Sequence, residues 1–234
     1  MLWYKGWLET RFRVLFVFGF ICVVAGMQGW ARNPSSKPNP AAVLSSFYTL
    51  VPLEAVIISA FLGAAGIATQ ASLTANKGLH GSTLFTLALP VKRAHLVLTR
   101  AAIGWVETVL ALAVFFCAIW YRSSALRTVT VSTVVAHYAL AVIVCGTTFY
   151  CVAVLLGSFL DDQWRTWGTM LVAGALVWAS SQHWLPASVD IIAAMGKSSP
   201  LFGHAMPWGP MIFSLAASAV LFLATLTIVH RREY

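Results

Sequence analysis

Thr128–Leu160 reads TVTVSTVVAHYALAVIVCGTTFYCVAVLLGSFL and contains no Lys, Arg, Asp or Glu. About 20 apolar residues are enough to cross a bilayer as a helix, and this stretch is longer. It predicts a membrane helix over about Val134–Leu160, with tilt absorbing the excess length. Apolar runs of few charges recur on both sides of it. They predict further spans over about Val14–Trp30, Val51–Thr69, Leu96–Trp120, Trp167–Trp184 and Met211–Val229. The expected fold is therefore an all-α integral membrane protein with six transmembrane helices in a single domain, residues 1–234.

Composition agrees with that reading. Of 234 residues, 59% are hydrophobic and 9% are charged, whereas a soluble domain carries roughly 25% charged residues. The mean hydropathy of +0.81 argues against a soluble enzyme. It argues equally against a disordered chain, which needs few apolar residues and many charges. The net charge of +8 has no need of a nucleic acid, because basic residues in membrane chains mark the cytoplasmic side.

Six spans put both termini on one side of the membrane. On that side fall Lys5, Arg11, Arg13, Lys77, Lys92, Arg93, Arg100, Arg165, Arg231 and Arg232; the other side holds Arg32, Lys37, Arg122, Arg127 and Lys197. The larger group assigns both termini to the cytoplasm and the chain to the plasma (inner) membrane as a multi-pass protein. The first apolar run lacks a clear small-residue cleavage site, so no cleaved signal peptide is expected. Cys22, Cys117, Cys145 and Cys151 all fall within expected spans. Without metal-ligand spacing, they read as free thiols that pack as small apolar residues.

Three segments are more than simple spans. In residues 1–13, Trp3, Trp7 and Leu8 share a helical face, which suits either a helix lying in the cytoplasmic interface or a plain basic flank. Lys77–Arg93, KGLHGSTLFTLALPVKR, holds a short helix that Ser82 or Thr83 can cap and Pro90 can stop. Its apolar residues Leu84, Phe85, Leu87 and Leu89 need a surface to bury against: the membrane, the chain's own bundle or a soluble partner. Gln182–Pro210 is interrupted by four prolines and three glycines around an apolar piece, Val189–Met195. It reads as one or two short re-entrant helices in the outer leaflet, or as a surface loop.

Searches for catalytic chemistry fail. Gly196-Lys197-Ser198 lacks the earlier glycine of a phosphate-binding loop, since Ile191 stands there. Zinc-protease and serine-hydrolase templates do not occur. His183, His204 and Asp190 are too scattered to suggest a metal, and no metal or other cofactor is expected in this chain. The two intramembrane acids say more, because a charge at mid-membrane costs ~2.5–3.5 kcal/mol on insertion scales and so faces a partner or a cavity. Arg100 and Glu107 stand seven residues apart, two helical turns, and share a face. Glu107 is a structural partner, a substrate-pathway group or a proton carrier; Glu54, close to the expected start of its span, is a second pathway candidate or a solvated interfacial group.

Four features together resemble the membrane permeases of the type-2 ABC exporters. They are the amphipathic YKGWLETRFR at Tyr4–Arg13, the segment Gly81-Ser82-Thr83-Leu84 followed by Leu87 and Leu89-Pro90-Val91-Lys92-Arg93, the broken outer segment, and the basic tail His230–Tyr234. Many relatives carry an acid before the Gly-Thr-like pair, where this chain has Asn76 and Lys77. The resemblance implies a permease that pairs as two six-span halves, with a homodimer as the first expectation and a heterodimer as the alternative. It implies an ABC-type ATPase subunit on the cytoplasmic face that carries the ATP and Mg. The coupling helix would comprise Gly81, Ser82, Thr83, Leu84, Phe85, Leu87, Leu89, Pro90, Lys92 and Arg93, with Asp161 and Asp162 as a second contact. The alternative is a proton-coupled secondary transporter that uses Glu107 or Glu54. The scarcity of intramembrane charge suits a lipid, a hydrophobic drug or a peptide better than a small, highly charged solute.

Overall fold

The computed structural model describes residues 11, 14–24, 40–63, 93–160, 162–196 and 198–231. Among them every regular element is helical. In chain order these are α1 (Val14–Val24), α2 (Pro40–Leu62), α3 (Arg93–Arg122), α4 (Ser124–Val129), α5 (Ser132–Gly157), α6 (Asp162–Ser181), α7 (Ile191–Met195) and α8 (Trp208–Arg231), with a 3₁₀ turn at Pro200–Phe202. The regions Val97–Arg122, Ser132–Gly157 and Trp208–Arg231 are long and apolar enough to cross a membrane. Leu15, Phe16, Leu110, Leu171, Ile212, Val220 and Leu223 lie exposed on α1, α3, α6 and α8. Such large outward apolar surface is foreign to a water-soluble monomer and natural to a membrane protein.

The long helix of the charge-free stretch runs over Ser132–Gly157, close to the expected Val134–Leu160, and the stretch before it is not continuous with it. The chain breaks at Thr130 and Val131, both in extended backbone, and the long helix begins at Ser132. The β-branched run Thr128-Val129-Thr130-Val131 is stiff at χ1 and crowds a helical turn, which makes it the weak point of the stretch. Ser123 caps α4 on the near side, its Oγ accepting from Leu126 N at 3.2 Å. One boundary differs from the sequence expectation, the start of α2, at Pro40 rather than Val51. Proline suits the first turn of a helix, where its missing N–H leaves no bond unmade. Glu54 consequently lies in the second half of α2 and not near its start.

α5 is the hub. It packs against α2, α3, α6, α7, α8 and the 3₁₀ turn, and its buried residues lie all round its circumference, among them Val135, Tyr138, Val142, Cys145, Phe149 and Val154. A helix apolar on every face belongs at the centre of its bundle. Threonines within the bundle satisfy themselves: Thr99, Thr108, Thr169 and Thr225 each donate to the carbonyl four residues earlier, at 2.8–2.9 Å. Thr148 Oγ1 and Ser214 Oγ, 2.6 Å apart, join α5 to α8, and Ser214 Oγ also donates to Val144 O at 2.8 Å.

The bundle has two distinct ends. At one, Gly63 abuts Ala153 so closely that a side chain on it would meet Ala153 Cβ. A Cβ on Gly104 would stand 2.7 Å from Tyr150 Oη, and Tyr150 Oη donates to Ala101 O at 2.7 Å. These contacts gather the C-terminus of α2, the first half of α3 and the last turns of α5. Val229 near the end of α8 joins Val97, Ala101 and Val154 in the same apolar cluster. At the other end α7 and the 3₁₀ turn fold back over α5. Ile191, Ala194 and Met195 are buried there, and Tyr138 Oη donates to Met195 O at 2.9 Å. The middle of the 182–210 segment, α7, is thus packed into the bundle, while residues 182–184, 186–188 and 202–205 are exposed.

Candidate functional site

The first end holds the charges. Arg165, in the second turn of α6, is the largest fully buried side chain, only 1% exposed. Its neighbours on the same helix explain the direction it takes. Trp164, Trp167 and Leu171 are exposed, whereas Thr169 and Ala173 are buried. Arg165, Thr169 and Ala173 recur every fourth residue, so they form one inward face of small or polar groups. The guanidinium NH2 approaches Phe61 O, in the last turn of α2, at 3.5 Å. The last carbonyls of a helix lack intrahelical partners and carry the negative end of its dipole, so a cation belongs there.

Glu107 and Arg165 both lie within electrostatic range of Tyr150. Arg100 and Glu107 are each 6% exposed, so both face the interior as their two-turn spacing requires. Arg100, Glu107 and Arg165 all take part in hydrogen-bonding or electrostatic contacts. Three helices, α3, α5 and α6, thus bring Glu107, Tyr150 and Arg165 into one region of the bundle near the exit of α2. Opposite charges inside a low-dielectric region attract strongly and suffer heavily when separated, so such a cluster responds to small helix shifts.

Glu54 stands apart on α2. It is also buried, at 6% exposed, and its Oε2 has no hydrogen-bond partner among the described residues. It is not a solvated interfacial acid. Asp190, at the opposite end, is fully engaged. Its Oδ1 accepts from Ala193 N at 2.8 Å, capping α7, and its Oδ2 accepts from Ser180 Oγ at 2.7 Å. His183 and His204 are exposed, and the described residues hold no group of three metal-ligating side chains.

Of the residues expected to meet an ATPase, Gly81, Ser82, Thr83, Leu84, Phe85, Leu87, Leu89, Pro90, Lys92 and Asp161 lie outside the described residues. Arg93 and Asp162 open α3 and α6, with their side chains outside the description. Residues 1–13, expected as an interfacial helix, are described only at Arg11. Sequence reasoning missed Arg165, counting it as a topological charge beside Asp161 and Asp162. The signal that reveals it is the alternation in Trp164-Arg165-Thr166-Trp167, where helical geometry sets the two large aromatics outward and the arginine inward. The four cysteines are free, with Cys145 and Cys151 buried and Cys22 and Cys117 exposed. Protein-family models, curated proteins and solved structures offer no match to this chain.

Proposed function

We propose that the chain is one six-span half of a type-2 ABC exporter: a permease that works as a dimer and draws its energy from separate ATPase subunits. In this reading α1, α2, α3, α5, α6 and α8 cross the plasma membrane, and both termini are cytoplasmic. The chain has no phosphate-binding loop, so ATP and Mg belong to the partner. ATP binding draws the ATPases together, rocks the two halves and moves an apolar or amphipathic cargo outward.

The observation that carries the reading is the meeting of helix ends around Arg165. α2 ends there, the first half of α3 packs against that end at Gly104, and α6 begins there at Asp162. In this reading an ATPase seated on that end touches the α2–α3 and α5–α6 connections at once. The test is purification of the full chain in mild detergent. An ABC-type ATPase is expected to accompany it, and Leu84→Asp with Phe85→Asp is expected to release that ATPase and abolish ATP-driven transport. No ATPase in the purified material, with transport intact in the double variant, overturns the reading.

Glu54 supports a second reading, a proton-coupled secondary transporter, because a buried carboxyl oxygen with no described partner is a place to hold a proton. Glu54→Gln then abolishes transport driven by a pH gradient in ATP-free vesicles. ATP-dependent transport that is indifferent to the gradient excludes it.

A further inference from the structure

We propose that Arg165 is a positioning residue that pins the exit of α2 to the entry of α6, so that these two helix ends move as one body. Its role in coupling rests on the permease reading above; the pin itself does not.

The geometry of α2 carries the argument. Its last turn is closed by Gly63 N donating to Ser59 O at 2.8 Å. Beyond that bond, Gly63 is pressed against Ala153 of α5, so the end of α2 cannot shift toward α5. On another side stands the Arg165 guanidinium, 3.5 Å from Phe61 O. The end of α2 is therefore held between a steric stop and a cation.

Arg165 is the large buried side chain in the first turns of α6. Trp164 and Trp167 are 67% and 65% exposed, so the bulk of its first turns points away from the bundle. Arg165 supplies the large inward contact, followed by the small Thr169 and Ala173. Removing the guanidinium takes away the contact of α6 with Phe61 O and leaves the helix its packing against α5. Glu107 of α3 and Arg165 both lie near Tyr150. The pin thus depends on where α2 and α6 sit. A helix shift that opens the contact leaves a buried charge exposed to apolar surroundings, which drives the helices back together or on to a second arrangement.

The experiment uses the full chain in lipid nanodiscs, with Cys22 and Cys117 replaced by Ala. Spin labels are attached at Phe61→Cys and Trp164→Cys, both exposed in the native chain. With Arg165 present the inter-label distance distribution is narrow. Arg165→Gln broadens it, and Arg165→Lys, which keeps the cation, restores much of the narrow peak. The charge-neutralised double variant Glu107→Gln/Arg165→Gln removes the stranded carboxylate and serves if the single variant does not fold; it too gives a broad distribution. A narrow distribution in a folded Gln variant, single or double, overturns the pin.

A second arm reconstitutes the permease with its ATPase. Arg165→Gln is expected to keep the ATPase bound while lowering cargo moved per ATP hydrolysed about tenfold. Full coupling with a broadened distribution overturns the coupling role. Failure of the native chain to bind any ATPase overturns the permease reading and leaves the distance measurement to decide the pin.

Discussion

The two ends of the bundle handle buried charge in opposite ways. At the α7 end, Asp190 finds both donors close by, one three residues ahead in its own helix and one at the last turn of α6. Tyr138 adds a bond from α5 to Met195 O. At the Arg165 end the charged groups stand on different long helices, and the hydrogen bonds run to helix backbone: Tyr150 to Ala101 O and Arg165 to Phe61 O. The first arrangement is a brace, since its geometry hardly depends on how the long helices sit. The second is sensitive to every shift between α2, α3, α5 and α6. In the proposed permease the first would hold its shape while the second changes its energy as the helices move.

This contrast can be broken by mutation. The largest effect is expected from Arg165→Met with Glu107 retained, because removing one member of a buried charged group costs about 3–5 kcal/mol. Thermal unfolding in detergent measures it, and adding Glu107→Gln should recover part of the loss. Equal loss in the single and double variants would show that Glu107 does not sense Arg165. Asp190→Ala comes next, at about 0.5–2 kcal/mol for a lost helix cap. Hydrogen exchange should then speed up over residues 188–203 and stay unchanged at residues 150–165. Exchange that rises equally at both ends would erase the distinction between brace and switch.

Smaller changes sharpen it. Tyr138→Phe deletes one hydrogen bond, worth about 0.5–1.5 kcal/mol, and should speed hydrogen exchange in α7 without changing it at residues 150–160. Thr148→Val removes the α5–α8 hydroxyl contact, and such interhelical bonds average about 0.6 kcal/mol in a membrane. A loss several times larger would mean that Ser214, left behind, fails to fall back on Val144 O, its present acceptor at 2.8 Å.

Much of the helical layout was legible. Each long helix coincides in its middle with an apolar run, because lipid-compatible length and composition are properties of the chain alone. The shared face of Arg100 and Glu107 was legible too, since seven residues are two turns in any helix. Boundaries were less so. The start of α2 was masked by Ser45, Ser46 and Tyr48, polar residues that lower apparent apolarity without stopping a helix, while Asn39-Pro40 carried the usable start signal. The start of the long helix at Ser132, by contrast, was legible to within two residues of the expected Val134.

Arg165 shows where one-dimensional reading ends. Beside Asp161 and Asp162 it belongs to a polar run, and charge counting assigns it to the aqueous face. Its burial follows from contacts far away in sequence, with Phe61 104 positions earlier and with the neighbourhood of Tyr150 and Glu107. The sequence by itself determined the membrane class, the helices and the faces that single helices present, because these rest on composition and on the 3.6-residue period. Only the tertiary structure decided which charge is a marker of topology and which is held inside, because that depends on the dielectric and the partners that neighbouring helices supply.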